Sequence, residues 1–223
     1  MLPSITIITP TTGKASLDKL IQSIAEQTLD VNVYHLLLWD DYRSEGSQDP
    51  ESYNNENRRS IVFPPGTGRN GSAPGSMLRA AALTLVRTPW VTFADDDVWW
   101  EKNHIDVFNR ALADGGNWAT TLRKIWSPTG EYLGVDRFES VGDDPGRKVP
   151  YEMCDGNTMV CNRQFGVSAA PMYSLTSDYN DDRLMYAFLK EHAGPRGNTN
   201  KPTINQTCPD KLVGFFTENC SKE

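Results

Sequence analysis

Three aspartates in a row, Asp95-Asp96-Asp97, follow directly on the apolar run Trp90-Val91-Thr92-Phe93-Ala94. Adjacent carboxylates repel one another, so such a cluster at the end of a buried strand is tolerable mainly when a cation sits there. Hard oxygen donors of this kind suit Mg2+ or Mn2+. A second pair, Asp40-Asp41, closes the apolar run at 33–39. A third, Asp181-Asp182, opens a stretch in which Leu184, Met185, Phe188 and Leu189 share one helical face. Carboxylates there can cap a helix and complement its dipole, and an ionised carboxylate can also accept a proton from a reacting hydroxyl.

These acids are only useful if elements hold them together, and the surrounding pattern predicts such elements. Ile5-Thr6-Ile7-Ile8 reads as a short buried strand stopped by Pro10 and Gly13. Leu17, Leu20, Ile21 and Ile24 mark one face of a helix, with Ser16 as its N-cap. The 33–39 run is a second strand and Ser60-Ile61-Val62-Phe63 a third. Leu78, Ala81, Ala82 and Leu85 line a second helix, and residues 90–94 form a fourth strand. Ile105, Phe108 and Leu112 give a third helix. Strand and helix alternating in this way predict a parallel sheet with crossover helices, whose ligands bind at the carboxyl ends of the strands. Both large acid clusters fall at such ends. Beyond residue 116 the rhythm changes to a hairpin, 118–126 with 132–135, then a short strand at Met159-Val160-Cys161 and a last helix from Asp181. Residues 46–59 read as a mobile polar loop, and 193–223 as a loose tail or a lid.

In its order of motifs the chain resembles the GT-A glycosyltransferases, most of all the inverting, nucleotide-sugar-dependent family 2 enzymes. The residues that carry the resemblance are Ile5-Thr6-Ile7-Ile8-Thr9-Pro10, Leu38-Trp39-Asp40-Asp41, Leu78-Arg79-Ala80-Ala81-Ala82-Leu83, the 90–97 strand with its aspartates, and Asp181-Asp182-Arg183-Leu184. They span residues 4–192. Ala80 and Ala82 replace the family's Asn and Gly, Asp181 replaces its Glu, and the Gln-x-x-Arg-Trp motif of processive synthases is missing. The resemblance implies an α/β GT-A (Rossmann-like) fold, with a mostly parallel central sheet, flanking helices and a small β-hairpin subregion. It implies a glycosyltransferase domain over 1–192, with a nucleotide-sugar half at 1–115 and an acceptor half at 116–192. The activity implied is non-processive, metal-dependent transfer with inversion, from a UDP-sugar to a glycan or other acceptor hydroxyl. Thr9 and Pro10 would then line the base pocket and Asp41 accept from the base. Arg69 and Arg79 would contact the nucleotide or its diphosphate, Asp95 would belong to the nucleotide-sugar site, and Asp96 would face the ribose or support the metal. Asp97 would ligate Mn2+ or Mg2+, and Asp182 would be the general base, kept anionic by its helix N-terminus.

Two other classes compete. One is a catalytically idle GT-A-like module that binds a nucleotide or glycan. The other is a dinucleotide-dependent oxidoreductase, since Gly66-Thr67-Gly68-Arg69-Asn70-Gly71 fits G-x-G-x-x-G and Asp95 follows at a Rossmann-like distance. Against the latter, Pro64-Pro65 parts strand from glycines and Ala73-Pro74-Gly75 delays the helix. Of the histidines, His35 reads as a core residue and His192 as a helix C-terminal cation. Trp99-Trp100 could stack on a sugar, though core packing is expected of at least one, and Asp155-Gly156-Asn157 is a turn or part of an acceptor wall.

Bulk properties narrow the class further. At 223 residues, with 38% apolar and 23% charged residues, the chain fits one large globular domain, or one with an appendage. Its 22 Lys and Arg against 29 Asp and Glu give a net charge of −7, which argues against nucleic-acid binding. Any phosphate ligand then needs local compensation, for which a divalent metal is the simplest source. No window approaches a transmembrane span and the first ten residues lack a secretory pattern, so a cytoplasmic protein with four free thiols is expected.

Overall fold

The computed structural model describes residues 2–40, 48–70, 73–146, 152–174 and 180–222. In chain order its main elements are β1 (Ser4–Thr11), α1 (Ser16–Ala25), β2 (Asn32–Trp39), β3 (Arg58–Val62), β4 (Arg69–Asn70), β5 (Ala73–Pro74), α2 (Ser76–Leu85), β6 (Trp90–Phe93), β7 (Val98–Trp100), α3 (His104–Ala111), β8 (Trp118–Trp126), β9 (Tyr132–Val135), β10 (Met159–Asn162), α4 (Arg163–Ser174), α5 (Asp181–His192), β11 (Gly197–Thr207) and α6 (Val213–Asn219). Among the described residues one mixed sheet runs β3-β2-β1-β6-β10-β8-β11-β7, with β9 paired to β8. β3, β2, β1 and β6 are mutually parallel, and β10 enters antiparallel between β6 and β8.

The sheet is covered on both faces, which is why its first strands read as unbroken apolar runs. Side chains alternate with a period of two. Ile5, Ile7 and Val160 pack with Leu17 and Leu20 of α1 and with Ile105 and Phe108 of α3. Ile8, Phe93, Met159 and Cys161 pack with Leu78 and Leu83 of α2, Ala169 and Tyr173 of α4 and Met185 and Leu189 of α5. Cys154, Cys161 and Cys208 are buried free thiols, and Cys220 is buried as well.

Three expectations are corrected. Residues 193–223 are not a loose tail: β11 inserts between β8 and β7, parallel to the first and antiparallel to the second. Its polar sequence hides it, because only Thr203, Ile204 and Asn205 are buried, and β11 is ordered by its ladders rather than by apolar alternation. The chain then closes with α6, whose Phe216 packs on Ile125 and Leu133. The polar stretch 46–59 is structured where it is described, with a 3-10 turn at Pro50–Tyr53 capped by Asp49 and with β3 starting at Arg58. Tyr53 is buried there against Trp39 and donates a 2.8 Å hydrogen bond to Asp18. The helix α4 has no counterpart in the apolar pattern. Gly166 lets it settle on the sheet, since a Cβ at that position would lie 2.8 Å from Val91 Cγ1. In addition, α1 begins one residue earlier than an N-cap at Ser16 requires, with Ala15 in the capping position and Ser16 as the first helical residue.

Candidate active site

The acid turn lies where β1 and β6 end side by side, with Ile8 opposite Phe93. Because β10 runs antiparallel to β6, the segment that precedes it, Asp155 and the 3-10 turn Gly156–Thr158, arrives at the same edge. The N-termini of α2 and α5 meet there too, joined by a 2.6 Å hydrogen bond from the Ser76 hydroxyl to Asp181 Oδ2. Four separate parts of the sequence thus converge on one corner.

Each aspartate of the turn has its own surroundings. Asp95 is held by the Arg79 guanidinium. Its backbone N–H donates to Asn157 Oδ1 at 2.5 Å, and Asn157 Nδ2 donates to its Oδ2 at 3.0 Å. Burial alone would raise the Asp95 pKa, but Arg79 and Asn157 outweigh it and hold the carboxyl below its usual range. Asp96 is buried, with Oδ2 accepting from the Thr11 hydroxyl and Oδ1 from Lys14 Nζ, both at 2.8 Å. Asp97 is 40% exposed. Its Oδ1 is nonetheless buried, with no hydrogen-bond donor among the described residues. Partial burial, then the neighbouring carboxylate of Asp95, pushes its pKa up to about 6, with Lys14 opposing.

Asp182 stands over the 3-10 turn. A Cβ on Gly156 would lie 2.7 Å from Asp182 Oδ1, so only glycine lets the carboxylate approach, and the Gly156 backbone N–H bonds to it. Its pKa is raised well above the ordinary value, by burial first and then by the charges of Asp155 and Asp181, with Arg79 opposing. This corrects the expectation of a dipole-stabilised anion: desolvation and two like charges outweigh the helix terminus.

The other anticipated residues sort themselves by burial. Thr9 does not line a pocket, because it is fully buried and its hydroxyl pairs with His35 Nε2 at 2.8 Å. That contact confirms His35 as a core residue, kept neutral by burial with a pKa lowered to about 3. Pro10 abuts Gly75, which takes a positive φ of 80° at the start of α2. Arg79 is buried between Asp95 and Asp181, so it braces the two acids instead of reaching into solvent. Asp40 is buried, with Oδ2 accepting from Gly68 N–H at 3.1 Å and Oδ1 without a partner among the described residues. Asp41 and the side chain of Arg69 lie outside the described residues. Trp100 is core, ring to ring with His104, whereas Trp99 is half-buried under Lys19 Nζ. His192 is half-exposed at the end of α5. Among the described residues α2 opens only at Ser76, beyond the glycine run, so its N-terminus does not lie inside the glycines as a dinucleotide cradle requires.

Sequence reasoning missed Lys14 and Arg123, and it placed Asn157 only in a turn or an acceptor wall. Lys14 sits in the loop after β1, where no local pattern marks it. Asn157 bridges Asp95 to Asp155, donating to Asp155 Oδ1 through Nδ2 at 2.7 Å and through its backbone at 2.9 Å. Arg123 lies fully buried on β8 and pairs with Asp136, Glu139 and Asp155. The sequence carries little signal here, because Arg123 stands beside Lys124 and only the fold decides which of the two charges is buried and must be paired. An unbroken chain of hydrogen bonds therefore runs from Arg79 through Asp95, Asn157 and Asp155 to Arg123. We expect Arg123→Met to strand three buried or half-buried carboxylates and to cost about 3–5 kcal/mol. Urea denaturation would measure it, and a loss below 1 kcal/mol would mean that the network is dispensable.

Among the described residues no three His, Cys, Asp or Glu side chains converge on a metal position, and no helix is long and apolar enough to cross a membrane. No protein-family model and no curated protein sequence matches the chain. Solved structures do. A crystal structure of Staphylococcus aureus TarS residues 1–349 superimposes with a TM-score of 0.64 over 99% of this chain and 67% of that one, at 18% identity. The fold is GT-A-like. The same TarS fragment in complex with UDP-GlcNAc matches at 15% identity and a TM-score of 0.64, covering 99% of this chain and 68% of that one. Longer TarS is matched over 40% of its length, with a TM-score of 0.60 and 17% identity.

Proposed function

We propose that the chain is a nucleotide-sugar glycosyltransferase, and in finer terms that it is metal-dependent, inverting and specific for a UDP-sugar. One observation carries this reading: the turn at 155–158 joins a carboxylate with a raised pKa, Asp182, to an acid turn in which Asp97 keeps a buried, unpartnered oxygen. The TarS complex with UDP-GlcNAc supports the donor class. Within this reading Asp95, Asp96 and Arg79 are the frame, Asp97 and Asp182 face ligand, and Asp41 keeps the contact to the base.

The orphaned Asp97 oxygen fits a hard divalent ion that takes one protein carboxylate and completes its shell from phosphate and water, as Mg2+ commonly does. Bound there by Asp97, Mn2+ or Mg2+ would offset the charge that develops on the departing diphosphate. The protein's own part is proton transfer. Ionised Asp182 accepts the proton of the acceptor hydroxyl as its oxygen attacks the anomeric carbon. The new glycosidic bond forms while the bond from that carbon to the diphosphate breaks on the opposite face, and the nucleoside diphosphate leaves. A raised pKa makes Asp182 a stronger base than an exposed carboxylate, at the cost of a higher pH needed to ionise it.

Thermal shift tests the reading. UDP with Mn2+ at about 100 times Kd should add ~2.7 kcal/mol of stability, or roughly 5–10 °C in a domain of this size. NAD+ should add nothing. No shift with UDP and Mn2+ at millimolar concentration would overturn the reading, and a shift with NAD+ alone would restore the dinucleotide alternative.

A further inference from the structure

Lys14 leaves the loop after β1 and brings its ammonium into the acid turn, 2.8 Å from Asp96 Oδ1 and 3.7 Å from Asp97 Oδ2. Its side chain is 54% exposed and that of Asp96 only 5%, so the charge enters from the solvent side. The remaining Asp96 oxygen is satisfied by Thr11, and Thr11 in turn accepts from Gly13 N–H at 2.9 Å, which fixes the loop that carries the lysine. Arg79 compensates Asp95. The turn therefore already has a counter-ion, and it stands beside the oxygens assigned to a metal.

We propose that Lys14 is a positioning residue that gates this site, holding off a divalent ion until a nucleoside diphosphate arrives with it. The proposal rests on the metal-dependent reading above. Two cations cannot share the Asp97 carboxylate without repulsion, because one charge a few ångströms from another is only partly screened. A diphosphate brings the negative charge that accommodates both. A lysine suits the exchange: its ammonium is a compact charge with three donors on a flexible stem, able to turn from Asp96 and Asp97 to a phosphate oxygen. Binding is then coupled, with metal and nucleotide entering together.

The test counts free Mn2+ by electron paramagnetic resonance in titrations of the nucleotide-free protein. Lys14→Gln should bind Mn2+ about 10-fold more tightly than wild type. Lys14→Arg, which keeps the charge, should match wild type. So should Lys102→Gln, which removes an exposed lysine paired with Glu26 and controls for net charge. With UDP present, wild type should bind Mn2+ well and the advantage of Lys14→Gln should shrink. If Lys14→Gln and wild type bind alike without nucleotide, or if Lys102→Gln shows the same gain, the gate is refuted while the metal-dependent reading stands. If wild type fails to bind Mn2+ even with UDP, that reading fails and the gate falls with it.

Discussion

Asp182→Asn is expected to lower sugar transfer by about 10²-fold or more, the usual worth of a general base, while UDP affinity stays within about twofold of wild type. The amide is close in shape to the carboxylate, and its oxygen can still accept from Gly156 N–H, so the 3-10 turn should keep its place. The burial that pushes the Asp182 pKa up penalises the charge alone, so the neutral amide sits there without that cost. What disappears is the proton acceptor. The pH profile gives a second readout. A group with a raised pKa is protonated over a wider range, so the wild-type rate should climb with pH across a step above the ordinary carboxylate range. In Asp182→Asn that step should vanish. Transfer near the wild-type rate, or a step that survives the substitution, would remove Asp182 from its role.

How far the sequence reveals this arrangement depends on the range of the forces involved. The main strands and helices of the first 115 residues, though not the 46–59 stretch or β7, were legible because their signals are local: β-branched runs in β1 and β6, and i, i+3, i+4 apolar spacing in α1 and α3. Their junctions placed the acid turn correctly at a strand end. Lost to view were elements ordered by partners distant in sequence. β11 is built from Asn, Thr and Lys and is held by β8 and β7, and α4 depends on Gly166 fitting against Val91. The site divides the same way. Asp97 was visible from its neighbours in the chain, but Asn157 acquires meaning only because β10 runs antiparallel and delivers it to Asp95, 62 residues away. The ionisation of Asp182 was misjudged for the same reason. The helix dipole is a local term, whereas the charge of Asp155 and the burial come from the packing of other elements. Thr9 shows the converse, a motif residue whose hydroxyl the core claims through His35.

Asp97→Asn should change stability and ligand binding in opposite directions. In the ligand-free protein the Asp97 pKa of about 6 lies above its ordinary 3.8. The folded state therefore holds a proton that the unfolded chain has released between those values, and stability falls as pH rises through that window. The penalty is complete above about pH 7 and absent below about pH 4. Asparagine escapes it. Asp97 is partly exposed and screened, so the gain should be modest, of order 1 kcal/mol, or about 2–4 °C in Tm at pH 7.5. The difference should close as pH falls from 6 to 4. Addition of UDP with Mn2+ should reverse the order, because wild type gains the binding energy of nucleotide and metal while the variant, short of its anionic ligand, gains little. A substitution that merely damaged packing would lower Tm under both conditions, and one at an idle surface residue would change neither. Differential scanning calorimetry at several pH values, with and without UDP and Mn2+, measures both halves. Equal ligand-induced shifts in the two proteins would separate Asp97 from the metal, and a lower Tm for the variant at pH 7.5 would contradict the raised pKa.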